Sequence, residues 1–464
     1  MFNEMSVSFN PNPISLDSID SQCLLGRLAL PAFNLHKVFM PTNWNCVDSL
    51  RGQTPMNTVG MDSSSLPAFY IIFLGVFRRS DMLKKNLYLA SLSIGVVTAT
   101  LLNPITAGAA QVVKIGVSAP LTGGGASLGK DTENGVRMAI DEANSQHISI
   151  GGEPVQFVLN SVDDQGDPRV GMQVAQKLVD DGTAVVIGPL NSGVVLPTSQ
   201  VYATAGVPML LASATNPSIT QRGLKTIYRM IPTDAQNAGI AGKYAVTVGK
   251  AARIAVLDDR TAFGQGEAEE FIKAVKAAGG QVVSQEYTND KAVDFRAQLT
   301  RIKAVNADLV YFGGLDSQAG LVMKQMKQLG MKAQFLGGGA VADSVFTQVA
   351  GSSGEGALAW EYGRPLSELP RGAEFADKYK KKYGTENLTY SPFAYDATWL
   401  AIEAMKKTGS TKPATFAPAI RGADFTGITG KIAFDSNGDQ KNPISTLYQV
   451  KDNKWQPVKT MTGN

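Results

Sequence analysis

The chain has 464 residues, 44% of them apolar and 18% charged, enough for two or three packed domains. Its 43 Lys and Arg against 40 Asp and Glu leave a formal charge of +3, too balanced for a protein that works by neutralising nucleic-acid phosphates. Two cysteines exclude a disulfide scaffold or a Cys-rich zinc module, and two histidines leave little from which to build a histidine metal centre or a Ser-His-Asp engine.

The first readable segment is MLKKNLYLASLSIGVVTATLLNPITAGAA, residues 82–110. Lys84 and Lys85 precede an apolar run, Leu87 to Leu102, that falls short of the roughly 20 residues a spanning helix needs. Ala107 and Ala109 then supply small residues before a cut at Ala110, so residues 82–109 are expected to be an export signal. Met82 stands where an initiator belongs. Residues 1–81, rich in Ser, Asn and Pro, are therefore expected to be an over-called start. A disordered extension whose segment Leu66–Phe77 touches a membrane stays open as the alternative. Cys23, Cys46 and His36 all precede the cut. The exported chain then has no cysteine to carry a disulfide or a lipid, and it is expected free in the periplasm.

From Val112 onward, strand-like and helix-like patterns alternate. The β-rich runs are Val112–Val117, Val155–Leu159, Ala184–Ile187, Arg253–Leu257, Gln281–Ser284 and Asp308–Phe312. Their near-continuous apolar character predicts parallel strands covered on both faces. Helical spacing recurs between them: Val170, Val174 and Leu178; Phe295, Leu299 and Ile302; Val322, Met326 and Leu329. Gly182 and Gly330 offer stops for two of these helices. The pattern predicts an α/β fold with parallel sheets and right-handed crossovers. Lys114–Val117 leading to Leu128-Gly129 is echoed by Arg253–Val256 leading to Phe263-Gly264, as if each pair opened its own sheet.

Several motifs invite chemistry and do not sustain it. Gly124-GASL-Gly129-Lys130 has the spacing of a phosphate loop, but Asp131 stands where Ser or Thr should hold magnesium. A Gly-rich turn with Asp131 capping a helix or lying near its start accounts for it. Gly337-x-Gly339-x-x-Ala342 reads as a strand-to-helix turn. Asp435–Asp439 has calcium-like residues without EF-hand spacing, so a surface turn is expected. Asp163, Asp164 and Asp167 read as a helix start or a solvated loop, and His147 as a surface residue at a helix end. No catalytic constellation, metal site or cofactor is expected.

What remains are two loops at strand ends, Ile187–Gly193 and Leu211–Pro217. Each places hydroxyls and free N–H groups at a helix N-terminus on the carboxyl edge of a sheet. An anion finds donors and a favourable dipole there.

The residues from Val112 to Val450 resemble periplasmic solute-binding proteins of the leucine/isoleucine/valine type, which feed ABC importers. The segments that carry the likeness are KIGVSAPLTG (114–123), GVRMAIDEAN (135–144), DDQGDP (163–168), VVIGPLNSG (185–193), SATNPSIT (213–220), YRMIPTDAQ (228–236), AFGQGEAEEF (262–271), DFRAQLTRIK (294–303), DLVYFGGLDSQAG (308–320) and FDSNGD (434–439). The resemblance implies a type I periplasmic binding protein: two Rossmann-like lobes with parallel sheets joined by three crossovers, one formed by 110–233 plus 363–440 and the other by 234–362 plus 441–464. It implies that Ser192 and Thr215 hold an amino acid's carboxylate and that Ser213 adds backbone contacts. A Tyr usually stands at the positions of Leu128, Phe263 and Leu315, which here would line an apolar pocket. The acid that binds the ammonium matches Gly339. Asp316, or less directly Glu361 or Asp396, could replace it; otherwise the ligand has no amine. The family's cysteine pair falls near Gly166 and Asn191, and both cysteines are absent.

The resemblance thus implies a non-enzymatic carrier. Its expected partners are an amino acid or related carboxylate and the permease subunits of an ABC transporter. No nucleic acid is expected, and the carrier is expected to be a monomer. A ligand-sensing regulator of the same fold is the competing class. An enzyme is disfavoured because no nucleophile–base pair is present.

Overall fold

The structure, a computed structural model, describes residues 110–462. The export signal expected at 82–109 and the segment 1–81, with Cys23, Cys46 and His36, lie outside the described residues. The first sheet contains β1 (Gln111–Ala119), β2 (Ser149–Ile150), β3 (Glu153–Asp163), β4 (Val185–Ile187), β5 (Met209–Leu211) and β6 (Ile227–Arg229), in the order β2-β3-β1-β4-β5-β6. The second contains β7 (Ile254–Asp258), β8 (Val282–Tyr287), β9 (Leu309–Gly313), β10 (Gln334–Gly337) and β11 (Leu358–Tyr362). A separate hairpin, β12 (Phe425–Gly427) and β13 (Gly430–Ile432), precedes β14 (Ile444–Lys451) and β15 (Lys454–Thr462), which complete the second sheet as β15-β14-β11-β10-β9-β7-β8.

Stripped of the antiparallel strands at their margins, both sheets have one order: second, first, third, fourth, fifth. The sequence echo is therefore a topological repeat, with β1 and β7 as the opening strands. Their residues explain the placement. Ile254–Asp258 and Leu309–Gly313 are buried at every position, as strands covered by helices on both sides must be. Two of the expected strands differ. In β3, Gln156 and Val158 are exposed, and β8 is only half-buried. β8 is an edge strand, and β3 has only the two-residue β2 beyond it.

The helices are α1 (Ala126–Ser145), α2 (Pro168–Asp180), α3 (Ser192–Ala205), α4 (Ser218–Gln221), α5 (Asp234–Thr247), α6 (Ala262–Ala277), α7 (Arg296–Ala304), α8 (Asp316–Gln328), α9 (Ser344–Ala350), α10 (Gly372–Tyr383), α11 (Ser391–Thr408) and α12 (Pro413–Arg421). Local chemistry sets several starts. The Asp167 carboxylate accepts from the N–H groups of Arg169 and Val170 at the head of α2. Thr233 and Gln236 form a capping box at α5.

Asp131 departs from expectation. It lies in the second turn of α1, buried, and its carboxylate accepts from the N–H groups of Leu388, Tyr390 and Ser391 at 2.7–2.9 Å. It thus caps α11, 260 residues away, rather than its own helix. Gly135 lets α1 lie against the Ser391 backbone, where any Cβ would collide.

The chain passes between sheets three times: from β6 through α5 to β7, from β11 to α10–α12, and from Phe434 to β14. α10 returns to the first lobe by its contact with α1, where Asn134 donates to the Tyr379 hydroxyl at 3.0 Å. This is the two-lobed α/β architecture that the resemblance implies. Among the described residues no helix is long and apolar enough to cross a membrane.

Candidate functional site

In a sheet of order 2-1-3-4-5, the connections leaving the first and third strands diverge to opposite faces and open a crevice at the carboxyl edge. Here there are two such crevices, and they face one another. A cleft of about 720 Å³ is lined by Pro120 and Thr122–Gly125 after β1 and by Asn191–Gly193 after β4. Across from them stand Asp259–Phe263 after β7, with Leu315, Ser317 and Gln318 after β9.

These loops feed α1, α3, α6 and α8, so four helix N-termini meet at one opening. The first N–H groups of a helix have no partner within it and carry a partial positive charge. Four together make a site that favours an anion. The lip adds Asp259, Arg260, Asp290 and Lys291, with the Arg260 guanidinium 3.6 Å over the Tyr287 ring.

Ser192 opens α3. The residue is 1% exposed, and its hydroxyl accepts from the N–H groups of Thr215 at 3.3 Å and Asn216 at 3.4 Å, so the two hydroxyl loops are joined. Ser213 is turned inward, donating to the Leu190 carbonyl at 3.0 Å. Thr215 Oγ1 is buried without a hydrogen bond. The second loop leads only into the four-residue α4, so the helix dipole belongs to Ser192 and not to Thr215. Gly166 and Asn191 are neighbours: a Cβ on Gly166 would lie 3.4 Å from Asn191 Oδ1.

Among the other expected site residues, Phe263 and Leu315 line the cleft. Leu128 is fully buried in the core cluster that also holds Tyr362 and Tyr390. Asp316 does not line the cleft. Its Oδ1 accepts from the Ser317 N–H at 2.6 Å, and its carboxyl lies against Asp343. Burial, and for Asp343 also the charge of Asp316, hold both acids above the usual carboxylate range. Glu361 accepts from the N–H groups of Ala340, Ala342 and Tyr362, with burial raising it to about 7. Asp396 is occupied by Ile428 and Thr429, buried and held up to about 6.

Gly339 sits in the turn after β10, where its N–H donates to Glu267 Oε1 at 2.9 Å. Glu267 is completely buried, and burial, then the charge of Asp234, push it well above its ordinary value. Sequence reasoning passed over both acids. The available signal was that Glu267 falls between Phe263 and Phe271 at i+4 spacing, on the apolar side of α6.

The other motifs are structural. Asp435 accepts from the N–H groups of Asn437, Gly438 and Asp439, closing a turn. Asp163 holds Leu121 and Thr122. His147 is exposed at the end of α1. Among the described residues no group of three or more His, Cys, Asp or Glu is placed to hold a metal ion.

Comparison with known proteins agrees with this fold. The family model described as "Periplasmic binding protein" matches residues 112–454. A Leu/Ile/Val-binding protein homolog 2 from Brucella abortus (strain 2308) is 36% identical over 328 residues, 70% of this chain and 87% of the relative. A leucine-binding protein from Thermotoga maritima superposes with a TM-score of 0.69 at 26% identity, covering 75% of this chain and 98% of that one. A solute-binding protein of an ABC transporter from Rhodopseudomonas palustris BisB5, in complex with 3,4-dihydroxybenzoic acid, has a TM-score of 0.68 at 25% identity, covering 76% and 98%. The chain belongs to the periplasmic binding protein family, among its leucine/isoleucine/valine-type members.

Proposed function

We propose that this chain is the periplasmic substrate-binding component of an ABC importer, exported by residues 82–109. It binds a branched-chain or related amino acid between lobes formed by 110–233 plus 363–440 and by 234–362 plus 441–464. The observation that carries this reading is the convergence of four helix N-termini on one cleft, with Ser192 on the lining tied to the buried loop behind it that holds Thr215.

In this account the ligand carboxylate lies at the head of α3, taking donors from Ser192, Thr215 and nearby backbone N–H groups. Phe263 and Leu315 offer apolar surface to a branched side chain. Ligand on one lobe recruits the other, the hinge closes, and the closed form docks on the permease subunits as a monomer. No reaction is assigned to the protein.

A second reading, an amine-free aromatic acid as ligand, is favoured by the glycine at position 339 and by the dihydroxybenzoate bound to the Rhodopseudomonas neighbour. A thermal-shift panel separates the two. Leucine, isoleucine and valine should raise the melting temperature, and benzoate and 3,4-dihydroxybenzoate should not. The reverse pattern would replace the first reading with the second.

A further inference from the structure

Behind the cleft wall lies a group of buried carboxylates, of which Asp234 alone feels a protein cation, Arg229. Glu267 stands one helical turn beyond Phe263, and its Oε2 has no hydrogen bond; nor has either carboxylate oxygen of Asp234. Both residues are 0% exposed. Three hydroxyls without a close hydrogen bond adjoin them: Thr215 Oγ1 faces Asp234, Tyr311 faces Glu267, and Tyr362 lies over Gly339. The glycines make this possible. A Cβ on Gly338 would collide with the Glu267 carboxylate, and one on Gly339 with the Tyr362 hydroxyl.

Among the described residues Arg229 is the one buried cation, and it is fully engaged. It binds Asp439 at 2.8 Å, the carbonyls of Ala214 and Asn216 at 2.5 and 3.0 Å, and Thr220 at 3.1 Å. Asp234 adjoins the anion site through Thr215, whose carbonyl accepts from the Asp234 N–H at 3.0 Å. Carboxylates buried without a counter-charge are costly. A cation delivered with the ligand would relieve that cost and satisfy the orphaned acceptors together.

We propose that Glu267 and Asp234 form the subsite for a primary ammonium of the ligand, with the hydroxyls of Thr215, Tyr311 and Tyr362 around it. The inference rests on the amino-acid reading above and deepens it. The acid missing at Gly339 is supplied from another element, α6, reaching the same turn. Asp316, engaged with Asp343, is not required. The charged groups facing Glu267 are Asp234 from α5, Glu361 from β11 and Asp259 from the loop after β7. All are acids; Asp234 in turn faces Arg229, which lowers it, and Glu270. Burial outweighs Arg229 and, with the acids' repulsion, keeps a proton on the cluster when no ligand is bound. An arriving ammonium displaces it.

The test is calorimetry on the full chain with L-leucine and 4-methylpentanoate, its ammonium-free counterpart. The native protein should prefer leucine by about 100-fold, the worth of a charged hydrogen-bonded contact. Leucine should release protons near neutral pH, as heats measured in phosphate and Tris would register, and 4-methylpentanoate should not. Glu267→Gln should cut the preference at least about tenfold by weakening leucine alone, and should reduce the proton release, an effect that mere support of the fold would not produce. Asp234→Asn serves as the second variant, and thermal melts establish that each is folded. An undiminished preference in folded Glu267→Gln overturns the inference while leaving the amino-acid reading intact. Equal binding of the two probes by the native protein overturns the inference in favour of an amine-free ligand. Binding of neither overturns the inference together with the reading beneath it.

Discussion

Ser192 Oγ accepts a hydrogen bond from the Thr215 N–H across 3.3 Å, and so locks the head of α3 to the loop after β5. A donor group already oriented by backbone can turn its proton toward a carboxylate without reorganising. Ser192→Ala should therefore weaken leucine binding by about 10- to 100-fold, the range for a hydrogen bond to a charged group. Combined with Thr215→Ala it should abolish measurable binding. A dissociation constant near the native one for the double variant would remove these hydroxyls from the carboxylate site.

Arg229 binds three segments, its guanidinium reaching Asp439, the Ala214 and Asn216 carbonyls of one loop, and the Thr220 hydroxyl. Arg229→Met keeps the length of the side chain and strands those partners. Breaking a buried pair on one side costs about 3–5 kcal/mol; Asp439, with 17% of its side chain exposed, places the expectation at the lower end. Urea titration followed by circular dichroism measures it, and a loss below about 1 kcal/mol would contradict the structural role.

Two glycines in helices should respond with opposite sign to alanine. At Gly135 a methyl group meets the Ser391 backbone, so α1 and α11 must part, at about 1–3 kcal/mol of stability. At Gly239, within α5, nothing lies within 4 Å of the added carbon, and alanine's better helix propensity should stabilise by up to about 1 kcal/mol. Thermal melts of the pair check the sign, and equal shifts would contradict the packing described.

Buried acids also set a pH dependence. Burial raises Asp259 and Asp396 to about 6 and Glu361 to about 7, whereas the unfolded chain ionises them near 4. Between those values the unfolded state sheds protons that the folded state keeps, so stability falls as pH rises through the window. The exposed acids with lowered values, such as Asp167 and Asp294 at about 2, lose their contribution only at lower pH. The ligand-free protein should melt at a higher temperature near pH 5 than near pH 8. A scanning-fluorimetry series showing the opposite slope would contradict this.

The parts of the fold that announced themselves were those with long apolar runs. Ile254–Leu257 and Leu309–Phe312 are buried throughout and read as strands. Ile227–Arg229 is only three residues, too short to show a period, and the β14–β15 hairpin, half solvent-facing, lacks the apolar run. Ser192 was legible because a hydroxyl at a helix head has a recognisable setting. Glu267 was not. Glu269 and Glu270 follow it closely in sequence, and the run GEAEE resembles a solvated face until the helix is seen to turn only Glu267 inward. Asp131 was misread for a related reason: the helix whose N-terminus it caps begins at Ser391, and nothing near Asp131 in the sequence marks it.

The account depends on a carboxylate held where Ser192 and the converging helix N-termini meet. Calorimetric titration of the native protein at about pH 6 with L-leucine and L-leucinamide tests that contact most directly, because below the amine's pKa of about 7.7–8 the amide keeps the side chain and the ammonium and loses only the anion. Leucine should bind at least about 100-fold more tightly than leucinamide. Equal affinity for the two would contradict the account.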